Sequence, residues 1–392
     1  MKRCALAFAI AVTLFAQPAR ADFQSCLGGL EHLARERGIS AATVERSLRG
    51  LTYDADAITS EHSQPEFSTP IWDYMAGLVD DERVADGRAA MHQWAHWFAV
   101  AQSRYGVDES VIAAIWGVES NFGKGFGKHP IVQSLATLSC AGGREAYFRS
   151  ELIAALKIID AGDVNPAEFK GSWAGAFGNT QFMPSTYLHM AVDLDGDGRR
   201  DLVSSVPDAL GSTANYLRKH GYTPGLIWGF EVRLPAGYSG PSGKKLKRPE
   251  GFWAARGITR VDGSPLRGGG AFGLFLPAGA QGPAFLVSHN FDVIYSYNAA
   301  DSYALAIALL SDRLRGRPGI VTPWPTNDPG LSRAGRREIQ ALLIKRGYDL
   351  DGKIDGVMGK KTVSAIADFQ SRAGLTPNGR ACKSVLAALR GR

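Results

Sequence analysis

Beyond its first residues this chain has no apolar, charge-free stretch of the ~20 residues that a bilayer-spanning helix needs, which excludes a bundle of membrane-spanning helices. Cysteine is scarce, with 4 in 392 residues. The three beyond residue 21, Cys26, Cys140 and Cys382, lie at separations that match no zinc-ligand pattern. Histidine is absent from residues 331–392, so a zinc peptidase is excluded there. There is no long internal repeat and no low-complexity tail. What is present, 45% apolar and 21% charged residues, is the balance of a soluble globular protein with room for two or three domains.

The first residues bear on the compartment. Lys2 and Arg3 precede a short apolar run from Ala5 to Ala16, and Ala19-Arg20-Ala21 supplies small residues where a signal peptidase reads. Residues 1–21 are therefore expected to be a signal peptide, with a mature chain beginning near Asp22. No Leu-x-x-Cys stretch precedes Cys26, which argues against a lipid anchor. An oxidising compartment permits one disulfide and leaves one thiol over, with buried free thiols as the alternative. Cys26 and Cys140 share one large region while Cys382 lies beyond a Pro-rich segment, so Cys26–Cys140 is the expected pair.

Charge is unevenly placed. Loss of residues 1–21 removes Lys2, Arg3 and Arg20 and no acid, lowering the formal charge from +6 to +3. Residues 331–392 hold 13 Lys or Arg against 5 Asp or Glu, which leaves residues 22–330 at about −5. A basic module beside an acidic domain suggests a polyanionic partner, nucleic acid or an anionic wall polymer. The export signal favours the wall. Nucleic acid also lacks an aromatic platform, both in the module and at the second basic run, Lys244-Lys-Leu-Lys-Arg248.

Helical spacing dominates residues 24–120. Leu27, Leu30, Leu33 and Ala34 recur in step before Gly38, and residues 86–104 are expected to form one amphipathic helix ending at Gly106. His92 and His96 within it stand four apart, but no acid falls in step with them, so a metal site is not expected. Further helices are expected over 144–160, 204–220 and Ser302–Leu314. Between 226 and 296 the texture becomes β-prone, with alternation at Trp228, Phe230, Val232 and Leu234. Short runs follow at Phe272–Leu276, Ala284–Val287 and Val293–Tyr295. Residues 317–330, with prolines at 318, 323, 325 and 329, are expected to be an extended, rather stiff linker.

One acid stands out. Asp108 is a good N-cap, Val111 to Val118 is apolar, and Asn121-Phe-Gly123 is a helix stop. Glu119 follows Trp116 by three, Ile115 by four and Ile112 by seven, which puts its carboxylate on the apolar face. A buried carboxyl is costly as an anion, and such burial suits a general acid near neutral pH. By spacing alone a Glu bonded to a nearby amide or arginine is the favoured reading.

Its neighbours carry more. Ile115-Trp-Gly-Val-Glu-Ser-Asn-Phe-Gly123 is followed by Gly171-Ser-Trp-Ala-Gly-Ala-Phe-Gly-Asn-Thr-Gln-Phe-Met-Pro-Ser-Thr-Tyr187, with Ala136-Thr-Leu-Ser, Tyr147-Phe-Arg-Ser-Glu-Leu, Tyr297-Asn298 and Tyr303 in order. Together they resemble the B-type lytic murein transglycosylases, a lysozyme-like family. The resemblance implies a mainly α fold, an α+β lysozyme-like catalytic domain over 22–316 with a small β-rich part at 226–296. It implies Glu119 as the sole catalytic acid, and Tyr147, Ser172, Gln181, Phe182, Tyr297, Asn298 and Tyr303 as residues lining a sugar cleft. Asn179-Thr180 departs from a Tyr-Gly pair common in the family, and the loop at Cys140–Gly143 looks shortened. The implied reaction cleaves the β-1,4 bond after N-acetylmuramic acid (MurNAc) in peptidoglycan and leaves 1,6-anhydro ends. A hydrolysing muramidase and a non-catalytic wall-binding scaffold are the alternatives. Ordinary glycosidases use two carboxylates, whereas the two motif segments contain no second acid.

Asp193-Leu-Asp-Gly-Asp-Gly-Arg-Arg-Asp201 places carboxylates at loop positions one, three and five and glycine at six, the first half of an EF-hand loop. Ser204 stands where the closing Glu would be. In the resembling family a later Asp completes the set, so Asp193, Asp195, Asp197, the Arg199 carbonyl and Asp208 are the expected Ca²⁺ ligands, with a structural role. Residues 331–392, with Ile339-Gln-Ala-Leu342, Ile354-Asp-Gly356 and Phe369-Gln370, look like the three-helix peptidoglycan-binding domain. Helices there are expected over Arg336–Arg346 and Thr362–Arg372, with Thr362 as a cap. The expected protein is a periplasmic monomer, without stable membrane insertion after processing. On this picture its basic module holds wall while the catalytic domain ranges on the linker.

Overall fold

The computed structural model describes residues 18–61 and 69–391; residues 1–17, most of the expected signal peptide, lie outside the described residues. In chain order the chain forms helices α1 (Pro18–Glu36), α2 (Ala41–Leu48), α3 (Ala55–Glu61), α4 (Ile71–Leu78), α5 (Asp81–Gln93), α6 (Ala95–Tyr105) and α7 (Glu109–Ser120). Strand β1 (His129–Pro130) precedes α8 (Ile131–Ala141) and α9 (Glu145–Asp160), and β2 (Lys170–Gly171) precedes α10 (Pro184–Met190) and α11 (Val206–Lys219). Then come β3 (Gly229–Arg233), β4 (Arg248–Pro249), α12 (Glu250–Ala254), β5 (Thr259–Arg260), β6 (Ala271–Phe275) and β7 (Ala284–Val287). The chain continues with α13 (His289–Tyr297), α14 (Asp301–Leu314), α15 (Arg333–Lys345), α16 (Lys360–Arg372) and α17 (Lys383–Leu389). Mainly helical, with a two-stranded pair β1-β2 and a small five-stranded sheet among the described residues, this is the expected class.

Two compact units divide the chain. The first takes residues up to 63, 127–177 and 182–188. Its α1 buries the stripe Phe23, Leu27, Leu30 and Ala34, and α8 and α9 pack together. Cys26 on α1 is joined to Cys140 at the end of α8, as expected, while Cys382 is a buried free thiol in the other unit.

The second unit holds 64–126, 178–181 and 189–392. At its centre is α7, started by Asp108, whose Oδ1 accepts the Ser110 N–H, and buried from Ser110 to Gly117. The helix α14 packs against it. Asn121 ends α7 in the left-handed region, and Phe122 folds its ring back over Gly117. A Cβ at Gly117 would come within 2.5 Å of that ring, so a side chain there is excluded by close packing. Beside these helices a five-stranded antiparallel sheet in the order β4-β6-β7-β3-β5 covers a core of Val232, Trp253, Leu274 and Leu286.

Three local expectations need correction. The helix expected over 86–104 breaks at Trp94, whose φ of −107° and ψ of 20° end α5 and start α6, so His92 and His96 sit on different helices. Val293–Tyr295, β-prone by composition, lies within α13, because Ser288 caps the segment through the Asn290 N–H and tertiary packing overrides propensity. Thr362 is not a cap: α16 starts at Lys360 after Gly359, and Thr362 is buried inside the first turn.

The C-terminal module, α15 to α17, has its own core of Ile339, Leu343, Leu350, Ile366, Val385 and Leu389. Two buried glutamines fasten its turns. Gln340 accepts the Gly356 N–H and donates to the Val357 carbonyl, and Gln370 accepts the Gly379 N–H and donates to Asn378. The module does not range on a free linker. Val321 and Thr322 donate their N–H groups to the Glu231 carboxylate at 2.8 Å each, Arg317 pairs with Asp312, and Asp328 accepts both the N–H and hydroxyl of Ser384. Arg380 is bidentate to the buried Asp73, at 2.8 and 3.0 Å, Arg337 pairs with Glu82, and Arg333 pairs with Asp80 and Asp86. Much of the basic surplus of the module therefore meets an acidic strip of its own chain. Nor is Lys244–Arg248 a free basic patch. Lys244 pairs with Asp301 over the Tyr295 ring, and Lys247 donates to the carbonyls of Val287 and Ser288 and to Asp292.

Candidate active site

Every residue of the Glu119 cluster can be traced to a local cause. Helical spacing puts Glu119 in the last turn of α7, half-buried rather than enclosed, where the helix surfaces from the core. Tyr303, in the first turn of α14 and 1% exposed, donates its hydroxyl to Glu119 Oε1 at 2.6 Å. Tyr297, at the end of α13, lies nearly parallel to Tyr303, with centroids 6.3 Å apart, and donates to the Thr180 carbonyl at 2.7 Å. Burial, and then the neighbouring Glu119 carboxylate, push both phenols well above their ordinary range, so both are proton donors at any working pH. Asn298 follows as the cap residue of α13, half-buried.

Gln181 belongs to the same unit and sits at φ 51°, a left-handed position that its amide helps to hold by donating to Gly178 O at 2.8 Å and Phe126 O at 3.3 Å. Asn179 does more than a loop residue would. Its Oδ1 accepts Trp116 Nε1–H at 2.9 Å, its carbonyl accepts the Ser120 hydroxyl at 2.6 Å, and its Nδ2 donates to Leu202 O and Val203 O. Asn179 thus fastens the last turn of α7 to the segment after the acidic loop. Only its place in the motif marked it, and no periodic signal could have given that role.

Tyr147, Ser172 and Phe182 fall in the first unit. Tyr147 is 41% exposed on α9, with Arg144 over its ring, and the Ser172 hydroxyl accepts the Ala176 N–H at 3.0 Å. Phe182, expected to line a cleft, is 2% exposed. Its backbone closes an antiparallel bridge with Phe177, so its ring serves the core.

The acidic loop is assembled as its spacing suggests. Carboxylate oxygens of Asp193, Asp195, Asp197 and Asp208 lie within 4.8 Å of one another. Asp193 accepts the N–H groups of Gly196 and Gly198, and Asp208 accepts those of Leu194 and Asp201. Burial, with Asp195 beside it, raises Asp208 to about 6 in spite of those N–H donors. Four gathered carboxylates, one fully buried, fit a hard divalent cation that offsets their repulsion.

One half-buried Glu, bonded by one buried tyrosine that lies parallel to a second, is thus the arrangement in hand. Residues 22–312 match the transglycosylase SLT domain, and residues 332–389 match a peptidoglycan binding domain. Membrane-bound lytic murein transglycosylase B of Escherichia coli is 32% identical over 269 residues, covering 65% of this chain and 70% of that one. The structure of SltB3 from Pseudomonas aeruginosa in complex with NAG-NAM-pentapeptide is 43% identical. It covers 94% of this chain and 99% of that one, with a TM-score of 0.75. The Escherichia coli lytic transglycosylase Slt35 in complex with calcium is 29% identical over 76% of this chain and 93% of that one, with a TM-score of 0.65. The chain belongs to the transglycosylase SLT family, as a B-type lytic transglycosylase with a C-terminal peptidoglycan-binding domain.

Proposed function

We propose that Glu119 is the single acid and base with which this enzyme cleaves the MurNAc–GlcNAc β-1,4 bond of peptidoglycan, leaving 1,6-anhydroMurNAc ends. The observation that carries this is the Tyr303 hydroxyl bound to Glu119 Oε1. It fixes the orientation of the carboxyl. The Glu119 proton passes to the glycosidic oxygen as the C1–O bond breaks. The acetamido oxygen of the same sugar stabilises the cationic C1. Glu119, now an anion, takes the proton of the 6-hydroxyl, whose oxygen closes on C1. Proton and charge balance without water, so its exclusion from the cleft matters. Gln181, Tyr297 and Asn298, of the same unit as Glu119, orient the glycan, and the family resemblance adds Tyr147, Ser172 and Phe182 as further sugar contacts.

Ca²⁺ would be held by Asp193, Asp195, Asp197, Asp208 and the Arg199 carbonyl, and would supply structural cross-linking of the loop to α11. The leader reading of residues 1–21 places the enzyme in the periplasm, where it acts as a monomer. Among the described residues no helix is long and apolar enough to cross a membrane.

Mass spectrometry of products released from purified sacculi tests the reaction. Anhydro ends, lighter than hydrolysis products by one water, are expected, and Glu119→Gln should lower release by roughly 10²-fold or more. Hydrated reducing ends would make the enzyme a hydrolysing muramidase, and activity within a few-fold in the variant would remove Glu119 from the mechanism.

A further inference from the structure

The last turn of α7 carries Glu119 but no basic residue, so the negative end of its helix dipole has no compensating charge from its own sequence. Two arginines from elsewhere supply it. Arg83 of α5, buried, donates to the Gly117 carbonyl. Arg333, the first residue of α15 in the wall-binding module, donates to Asn121 Oδ1 at 2.7 Å. The two gripped residues, Gly117 and Asn121, bracket Glu119.

Arg333 is itself held on several sides. Its backbone N–H donates to Asp80 Oδ2 at 3.0 Å, its Nε lies 3.2 Å from the same oxygen, and its far nitrogen lies 3.5 Å from Asp86. The Arg333 and Asp80 side chains are only 11% and 5% exposed, so the pair is desolvated and geometrically fixed. Asp80 is also the N-cap of α5, accepting the Arg83 N–H at 2.7 Å. Module, α5 and the end of α7 are thereby one connected set of charge-assisted hydrogen bonds. The other docking arginines behave differently: Arg380 and Arg336 go to Asp73, and Arg337 goes to Glu82.

We propose that Arg333, a residue of the peptidoglycan-binding module, is a positioning residue for catalysis: by gripping Asn121 it holds the turn that aims Glu119. The Arg333 contact of the docked module is then a condition for full turnover, so the module contributes to positioning the acid as well as to holding wall. This rests on Glu119 being the acid, as proposed above. A carboxyl must meet the glycosidic oxygen within a few tenths of an ångström, and a loosened helix end loses that alignment.

The test uses the full-length chain and a short soluble glycan, whose cleavage needs no wall binding. Arg333→Ala should lower kcat about tenfold with KM within about twofold. Arg380→Ala, which loosens the module without touching α7, should keep kcat within about twofold even where its melting temperature falls as far. Asn121→Gly suits the φ of 52° and leaves the Arg333–Asp80 pair in place. It should lower kcat several-fold, whereas Asn121→Asp, which keeps the acceptor, should restore it. Should Arg333→Ala fail to fold, the two Asn121 variants still decide the matter. The Arg333→Ala and Asn121→Gly losses should not add, since both remove one contact. An unchanged kcat in Arg333→Ala, an equal fall in Arg380→Ala, or additive losses would overturn the proposal. Glu119→Gln runs alongside: its retention of activity would remove the acid assignment, a result separate from the Arg333 comparison.

Discussion

Tyr303 donates its phenol hydrogen to Glu119 Oε1 at 2.6 Å across 184 residues of chain. The donor is fixed because the Tyr303 ring is buried and lies parallel to Tyr297, which in turn bonds the Thr180 carbonyl. A carboxyl held this way has its orientation set by a rigid donor.

Tyr303→Phe keeps the ring and removes only the hydroxyl. We expect kcat to fall about tenfold to a hundredfold with little change in KM, because orientation of the acid is lost and the substrate contacts remain. Steady-state kinetics on short soluble glycan checks it, and wild-type kcat would show that the bond does not orient the acid.

Calcium binding should depend on pH through Asp208. Its folded value is raised to about 6 from 3.8, so without metal this group favours the folded state at low pH, and that stability is lost as pH rises through about 6. Acidifying the metal-free protein from pH 7 to 5 should therefore move its melting temperature up by this contribution. Calcium must displace the proton, so the melting-temperature gain on adding calcium should shrink over the same interval. Asp195→Ala should abolish the calcium response. Calorimetry across pH 5 to 7, with calcium or chelator, reads all three, and a pH-independent calcium gain would exclude Asp208 as a ligand.

The Cys26–Cys140 bridge joins two segments of the first unit, 114 residues apart in sequence, and the chain between them includes residues 64–126 of the second unit. Replacing both cysteines by alanine should cost about 2–5 kcal/mol of stability, seen as a lower urea midpoint. Glu119 belongs to the other unit, so kcat well below the melting temperature should change little. A midpoint equal to wild type would mean that the denatured chain gains nothing from losing the constraint.

Docking of the C-terminal module should resist both salt and moderate acid. Burial alone would push Asp80 up, but the backbone N–H groups of Arg333 and Arg83 and the Arg333 guanidinium hold it below its ordinary 3.8. Its stabilising contribution is therefore present above 3.8 and lost only as pH falls through the lower folded value. Small-angle scattering should give one unchanged particle from pH 8 to 5 and up to salt on the order of 0.5 M, since buried pairs are weakly screened. Expansion at pH 6, or in moderate salt, would mean that the module is tethered rather than docked. Deleting residues 331–392 should consequently slow cleavage even of short soluble glycan.

Much of this protein was legible along the chain because its signals act over a few residues. The cap at Asp108, the apolar spacing to Glu119 and the stop at Asn121 describe α7 without any partner, since hydrogen bonding and side-chain periodicity in a helix are local. Alternating carboxylates around Gly196 marked the acidic loop for the same reason, and it folds into the cluster that the spacing suggests. The cysteine pairing followed from having few candidates. Where packing decided, the local signals failed. Trp94 breaks a continuous helical pattern with neither glycine nor proline, and Val293–Tyr295 is helical against its propensity. The charge partition was readable, but its meaning was not. Residues 331–392 were basic and the rest acidic, which suggested an external polyanion. Only the tertiary structure set Arg333 on Asp80, 253 residues away, and Arg380 on Asp73, 307 residues away. A charge carries no address in sequence; its partner is whichever opposite charge the folded backbone brings within reach and shields from water.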